Sequence, residues 1–280
     1  MKTGLVLEGG GTRAMYSAGV LDVFMEHGIV FDGVIGVSAG AIYSTNYVSG
    51  QRGRSIRYYK KFCADKRLMG IRSLLTTGDF VNKEFSYYTL PNELDIFDYE
   101  AFKANPIECY MVCTNVETGE AEYIRVTDLK EQMEVLRASS SLPFMSRLVE
   151  IDGKKYLDGG ISDSIPVKKF KEMGFDRIVV VQTRMANYRK KPSRISKFGW
   201  VYRRYPKLIA ALGQRSEAYN LTIEHILDME RKGEVLAIRP SKDLKVKRLE
   251  KDAEKLQEQY DLGRVDALAV IDKVKAYIAK

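Results

Sequence analysis

Gly4-Leu5-Val6-Leu7-Glu8-Gly9-Gly10-Gly11-Thr12-Arg13 is a short apolar run broken by three glycines, and Phe31-Asp32-Gly33-Val34-Ile35-Gly36-Val37-Ser38-Ala39-Gly40 repeats the plan with a tight turn at the serine. A helical pattern follows each run, from about Arg13 to His27 and then through Ala41, Ile42 and Tyr43. Short apolar runs alternating with helices predict an α/β fold with a buried, mainly parallel sheet.

Further along, Gln51 to Tyr99 reads as a mostly helical, aromatic covering layer with a loop near Thr76 to Asp79. Ile107 to Asn115 and Ala121 to Val126 read as paired strands, and Asp152-Gly153 between two alternating runs is a hairpin turn. That hairpin leads into Asp158-Gly159-Gly160. Asp176 to Thr183 is expected as a buried late strand that closes the main domain, placing a boundary between residues 183 and 184. Beyond it come a helix near Glu217 to Lys232, a strand at Val235 to Ile238 and a charged helix from about Gly263.

The 280 residues are 45% hydrophobic, enough for one large domain or a domain with an appendage, which excludes disorder as the main theme. Charge is 45 basic against 37 acidic residues, net +8, and its distribution matters more than its sum. Between Thr183 and Ser216 stand Arg184, Arg189, Lys190, Lys191, Arg194, Lys197, Arg203, Arg204, Lys207 and Arg215, with no acidic residue. Tyr188, Phe198, Trp200, Tyr202 and Tyr205 are interleaved with them. Basic residues mixed with aromatics suit an anionic lipid surface, with Trp200, Tyr202 and Tyr205 at headgroup level, or else a solvated surface or a domain-packing helix. No nucleic-acid binding module accompanies the charge.

Cys109 and Cys113 on one strand would stand about 13 Å apart, beyond disulfide reach, and with Cys63 they point to a reducing compartment. No secretory signal and no run of ~18 apolar residues is present, so a cytoplasmic or membrane-peripheral chain is expected. The two histidines and three cysteines lack zinc-ligand spacing, and neither a metal nor a cofactor is expected.

Gly36-Val37-Ser38-Ala39-Gly40 fits the G-x-S-x-G nucleophile elbow, in which a strand delivers serine to a sharp turn at a helix N-terminus, and Ser38 is expected exposed at the sheet edge. The amides of Gly9, Gly10 and Gly11 suit an oxyanion hole, a phosphate cradle or a plain structural turn. Asp158, at a strand end before two glycines, is a candidate base or a structural turn residue. His225 would complete a Ser-acid-His order but sits on a helical stretch, and His27 suits a helix C-cap.

Together Gly9-Gly10-Gly11-Thr12-Arg13, Gly36-Val37-Ser38-Ala39-Gly40 and Asp158-Gly159-Gly160, in this order, resemble a patatin-like phospholipase over residues 4 to 183. Ala138 to Pro143 also resembles a segment of that family, to which we assign packing, while Ala14 stands where the family often has glycine. The resemblance implies a three-layer α/β/α sandwich, a smaller C-terminal α-rich extension, Ser38 as nucleophile, Asp158 as base, Gly9, Gly10 and Gly11 as oxyanion amides, and a lipid or phospholipid acyl ester as substrate. Arg13 is expected to hold the glycine loop or meet a lipid phosphate, or equally to pair with a nearby acid and serve only structure. A carboxylate of ordinary pKa near ~3.9 is a weak base, so a sheltered site is expected. Three classes compete: a lipid acyl hydrolase, a transacylase with the same dyad, and a membrane-binding protein with a relic site.

Overall fold

The structure, a computed structural model, describes residues 1–192 and 195–279, without the side chains of 195–198; Arg194 and the side chains of Lys197 and Phe198 therefore lie outside the described residues. In chain order the elements are β1 (Lys2–Leu7), α1 (Met15–Glu26), β2 (Gly33–Val37), α2 (Ala39–Val48), α3 (Arg54–Phe62), α4 (Ile71–Thr77) and α5 (Tyr99–Ala104). They continue with β3 (Glu108–Asn115), β4 (Ala121–Val126), α6 (Met133–Ser139), β5 (Val149–Ile151), β6 (Lys154–Asp158), α7 (Val167–Glu172) and β7 (Phe175–Val181). The last third adds α8 (Pro206–Arg231), β8 (Val235–Ile238) and α9 (Ala253–Ile278).

One 8-stranded sheet runs β5-β6-β3-β2-β1-β7-β8, with β4 paired to β3. Strands β3, β2, β1, β7 and β8 are parallel, whereas β4, β5 and β6 run antiparallel to their neighbours. Alternation along β1 divides the core, because successive side chains leave a strand on opposite faces. Leu5 and Leu7 pack with α1, α2 and α9 on one face. Val6, Ile35 and Val180 pack with Phe170 of α7 and with Ile223 and Ile226 of α8 on the other. Helices thus cover both faces, as expected for the three-layer sandwich.

The late strand does not close the sheet. It is Phe175–Val181, and β8 extends the sheet beyond it through Val179↔Leu236 and Val181↔Ile238. The final helices also start earlier than the charge pattern suggests. Pro206 opens α8, since proline suits the first helical position, and the Asp252 carboxylate caps α9 by accepting the Glu254 and Lys255 amides. Helix α9 crosses α1 in close backbone contact: a Cβ on Gly19 would lie 2.1 Å from the Tyr260 carbonyl, and one on Gly263 2.0 Å from that of Tyr16. The buried Asp22 carboxylate of α1 locks the crossing by accepting the Tyr260 hydroxyl at 2.6 Å.

The Asp152-Gly153 hairpin forms as read, with positive φ at both turn residues, 50° and 74°. All three cysteines are free and buried. Among the described residues no helix is long and apolar enough to cross a membrane.

Candidate active site

The site arises where three strands meet. Val112 of β3 pairs with Val37 of β2, and the next residue, Cys113, pairs with Asp158 of β6. Because Cys113 already pairs with Glu122 of β4 on one flank, β6 must take the flank that β2 leaves after Val37. One step along β3 therefore brings the residue after Val37 beside Asp158, across 120 positions of sequence. The Ser38 hydroxyl donates to Asp158 Oδ2 at 2.7 Å. The other carboxylate oxygen, Oδ1, accepts the Gly160 amide at 2.8 Å.

Ser38 has φ 56° and ψ −123°, a conformation that costs a serine on the order of 1–3 kcal/mol and persists only where the surroundings enforce it. The flanking glycines make room for that enforcement. A Cβ on Gly36 would lie 2.6 Å from the Ala41 amide nitrogen, and one on Gly40 2.6 Å from the Leu7 carbonyl. The Ser38 amide donates to the Ser139 hydroxyl at 3.1 Å. Ser141, nearby in the same segment, accepts the Asp158 amide through its carbonyl at 2.7 Å. The Ala138 to Pro143 segment thus holds both Ser38 and Asp158, which the packing role assigned from sequence understates.

Ser38 is not exposed at the sheet edge. It stands at the C-terminal end of an inner strand and is only 6% exposed, with Asp158 at 1%, because residues from the last third of the chain cover it. The glycine loop is stitched to that cover: Thr12 donates its amide to the Arg248 carbonyl at 3.0 Å and its hydroxyl to that of Lys247 at 2.8 Å. Glu8 gives its amide to Val181 and Thr12 to Arg248, while among the described residues the Gly9, Gly10 and Gly11 amides between them have no partner.

Two cavities meet at Ser38. One is lined largely by apolar groups, Leu68, Met69 and Leu90 of the covering layer together with Ile42, Leu136 and Leu142, and is bordered by Gly11. The other, of about 530 Å³, is polar and holds Gly9, Gly10, Arg13 and Asp158, together with Lys190, Arg215 and Arg248. All six site residues read from the sequence therefore border these two spaces.

The chain belongs to the patatin-like phospholipase family. The model of that family matches residues 5–171, and a Domain of unknown function (DUF6363) matches residues 205–279. Among curated proteins the chain is 27% identical to the uncharacterized protein YjjU of Escherichia coli, over 93% of this chain and 74% of that protein. It is 26% identical to the lysophospholipase NTE1 of Meyerozyma guilliermondii over 64% of this chain, which spans only 12% of that relative. Of solved structures, VipD from Legionella pneumophila aligns over 97% of this chain and 67% of its own, with TM-score 0.47 and 14% identity.

Within this patatin-like frame the histidines stand apart. His27 is exposed at the end of α1, and His225 is exposed on α8 and lines a different pocket, so neither meets Ser38. The basic segment divides in two. Arg203, Arg204 and Lys207 are exposed, as are Trp200 (72%) and Val201 (50%), whereas Lys190 and Arg215 turn inward to the site. Tyr202 does not reach a surface: it packs on Phe144 at 4.9 Å and accepts that residue's amide at 2.8 Å. Arg248, in the loop before α9, carried no motif and was missed by sequence reading.

Proposed function

We propose that this chain is a serine lipid acyl hydrolase of phospholipase A or lysophospholipase type. The observation that carries the reading is the 2.7 Å hydrogen bond from Ser38 to Asp158 beside an apolar cavity and three glycine amides that have no partner among the described residues. The acyl chain lies in the apolar cavity and the ester carbonyl at Ser38. Serine Oγ bonds to the carbonyl carbon as its proton passes to Asp158, and the Gly9, Gly10 and Gly11 amides take the developing oxyanion. Collapse of that intermediate breaks the ester bond, Asp158 returns the proton to the leaving alcohol, and an acyl-serine remains. Water, giving its proton to Asp158, then releases the fatty acid and restores the serine.

The lysophospholipase named among the relatives supports this substrate class. The exposed Trp200 and Val201 beside Arg203 and Arg204 support a peripheral seat on an anionic membrane surface, at its inner face. Intact-mass measurement after fluorophosphonate treatment tests the mechanism. One adduct is expected on the native chain, none on Ser38→Ala and a slower one on Asp158→Ala. A folded native chain that takes no adduct, with and without lipid vesicles, would return the weight to a relic site.

A further inference from the structure

The polar cavity at Ser38 is lined by five cations, Arg13, Arg184, Lys190, Arg215 and Arg248, against two carboxylates, Glu8 and Asp158. Both carboxylates are already committed. Glu8 is 3% exposed and accepts the Thr183 amide at 2.6 Å and the Tyr219 hydroxyl at 2.8 Å. Asp158 holds Ser38 and Gly160. Among the described residues, Arg248 alone of the five comes within ion-pair range of an acid, at 3.9 Å from Asp158 Oδ2. Arg215 spends its Nε on the Gly160 carbonyl at 2.5 Å, and the buried Arg13 Nε has no partner. Arg189, next in sequence to Lys190, shows the contrast: it points away and is paired with Glu224.

The cations pay for their crowding, and the cost is visible in their protonation. Burial, then the neighbouring Arg215, pulls the Lys190 ammonium down to about 7, and burial with Arg184 and Arg248 pulls Arg13 to about 10. Crowded, half-buried cations that outnumber their counter-charges five to two are stabilised by a further anion, and phosphate oxygens match arginine forks and lysine donors. The two aromatic rings of the cavity are already covered, Tyr188 by Arg184 at 4.5 Å and Tyr219 by Lys190 at 3.8 Å. A quaternary ammonium would find occupied faces there, and positive charge around them.

We infer that Arg184, Lys190, Arg215 and Arg248, all from residues 184–279, form with Arg13 a subsite for the phosphate of an anionic lipid headgroup, in preference to choline or uncharged headgroups. This rests on the hydrolase reading, since it sets the acyl chain in one cavity and the headgroup in the other with the ester between them at Ser38. It gives residues 205–279, matched only to a domain of unknown function, a part in choosing substrate.

The test separates binding from turnover. Full-length Ser38→Ala is titrated calorimetrically, below micelle-forming concentrations, with lysophosphatidate, lysophosphatidylcholine and monoacylglycerol of one acyl chain, and with inorganic phosphate. Lysophosphatidate is expected to bind at least tenfold more tightly than the other two lipids. Adding Arg184→Gln and Lys190→Gln, neither of which bonds the catalytic loop, is expected to bring the gap below threefold. Equal affinity for all three lipids overturns the subsite. Inorganic phosphate binding as tightly as lysophosphatidate overturns the headgroup assignment in favour of free phosphate. Turnover by the native chain is read separately: a tenfold binding gap without turnover sustains the subsite and sinks the hydrolase, whereas turnover with equal binding does the reverse.

Discussion

Residues 1–183 and residues 184–279 bring side chains to the same two cavities at Ser38 by different means. In the first region the groups at the site are set by backbone: a strained serine between two glycines, loop amides without a partner among the described residues, and an aspartate located by strand pairing. In the second they are long side chains reaching in from a loop, from α8 and from the segment before α9. Backbone geometry holds an atom within tenths of an ångström, which bond-making requires. A flexible cation accommodates a headgroup without that precision. On the proposed reading, reaction chemistry falls to the first region and selection of substrate to the second.

The largest effect that would break this division lies at the dyad. Ser38→Ala is expected to abolish fluorophosphonate labelling and to lower kcat for ester hydrolysis by about 10⁴-fold or more, with Asp158→Asn close behind. Retained turnover in the serine variant would move the chemistry elsewhere. Next in size is the join between the regions. Gly263→Val should push α9 off α1 and cost about 3 kcal/mol, lowering Tm by on the order of 5–10 °C in a single transition. A separate, early transition for the C-terminal third alone would make it an appendage.

The pH dependence sharpens the comparison further. Lys190 faces Glu8 from the end of β1, Arg13 from the glycine loop, Arg215 and Tyr219 from α8, and Arg248. Its pKa is depressed to about 7, so the ammonium is charged below that value and neutral above it. Affinity for an anionic headgroup is therefore expected to fall severalfold between pH 6 and 8.5, and Lys190→Gln should flatten the profile. The smallest effect is at the outer surface. Arg204→Gln should weaken binding to anionic vesicles by about 1 kcal/mol, or roughly fivefold, in a sedimentation assay. Unchanged binding would leave the exposed basic residues as a solvated face.

Much of the first region was legible because its signals are local. An apolar run followed by Gly36-Val37-Ser38-Ala39-Gly40 specifies a strand, a sharp turn and a helix within ten residues, and Asp152-Gly153 specifies its hairpin outright. The second region was less legible for the opposite reason. Ten basic residues between Thr183 and Ser216 read equally as a surface or as a domain-packing helix, because burial of Tyr202 and the turn of Arg215 toward Gly160 depend on what packs opposite them. The start of α9 was missed because its cap, Asp252, precedes a charged stretch without strong apolar periodicity.

The sequence alone determined which groups could react and the family to which the chain belongs, since glycine, serine and aspartate at those spacings act through short-range sterics and backbone conformation. Tertiary structure alone decided that Asp158 and not His225 meets Ser38, and that Arg13, Lys190, Arg215 and Arg248 surround them. Those meetings depend on a strand register and a helix crossing between residues more than a hundred positions apart. No local pattern encodes such pairings; they follow only when the whole sheet and its covering helices are packed.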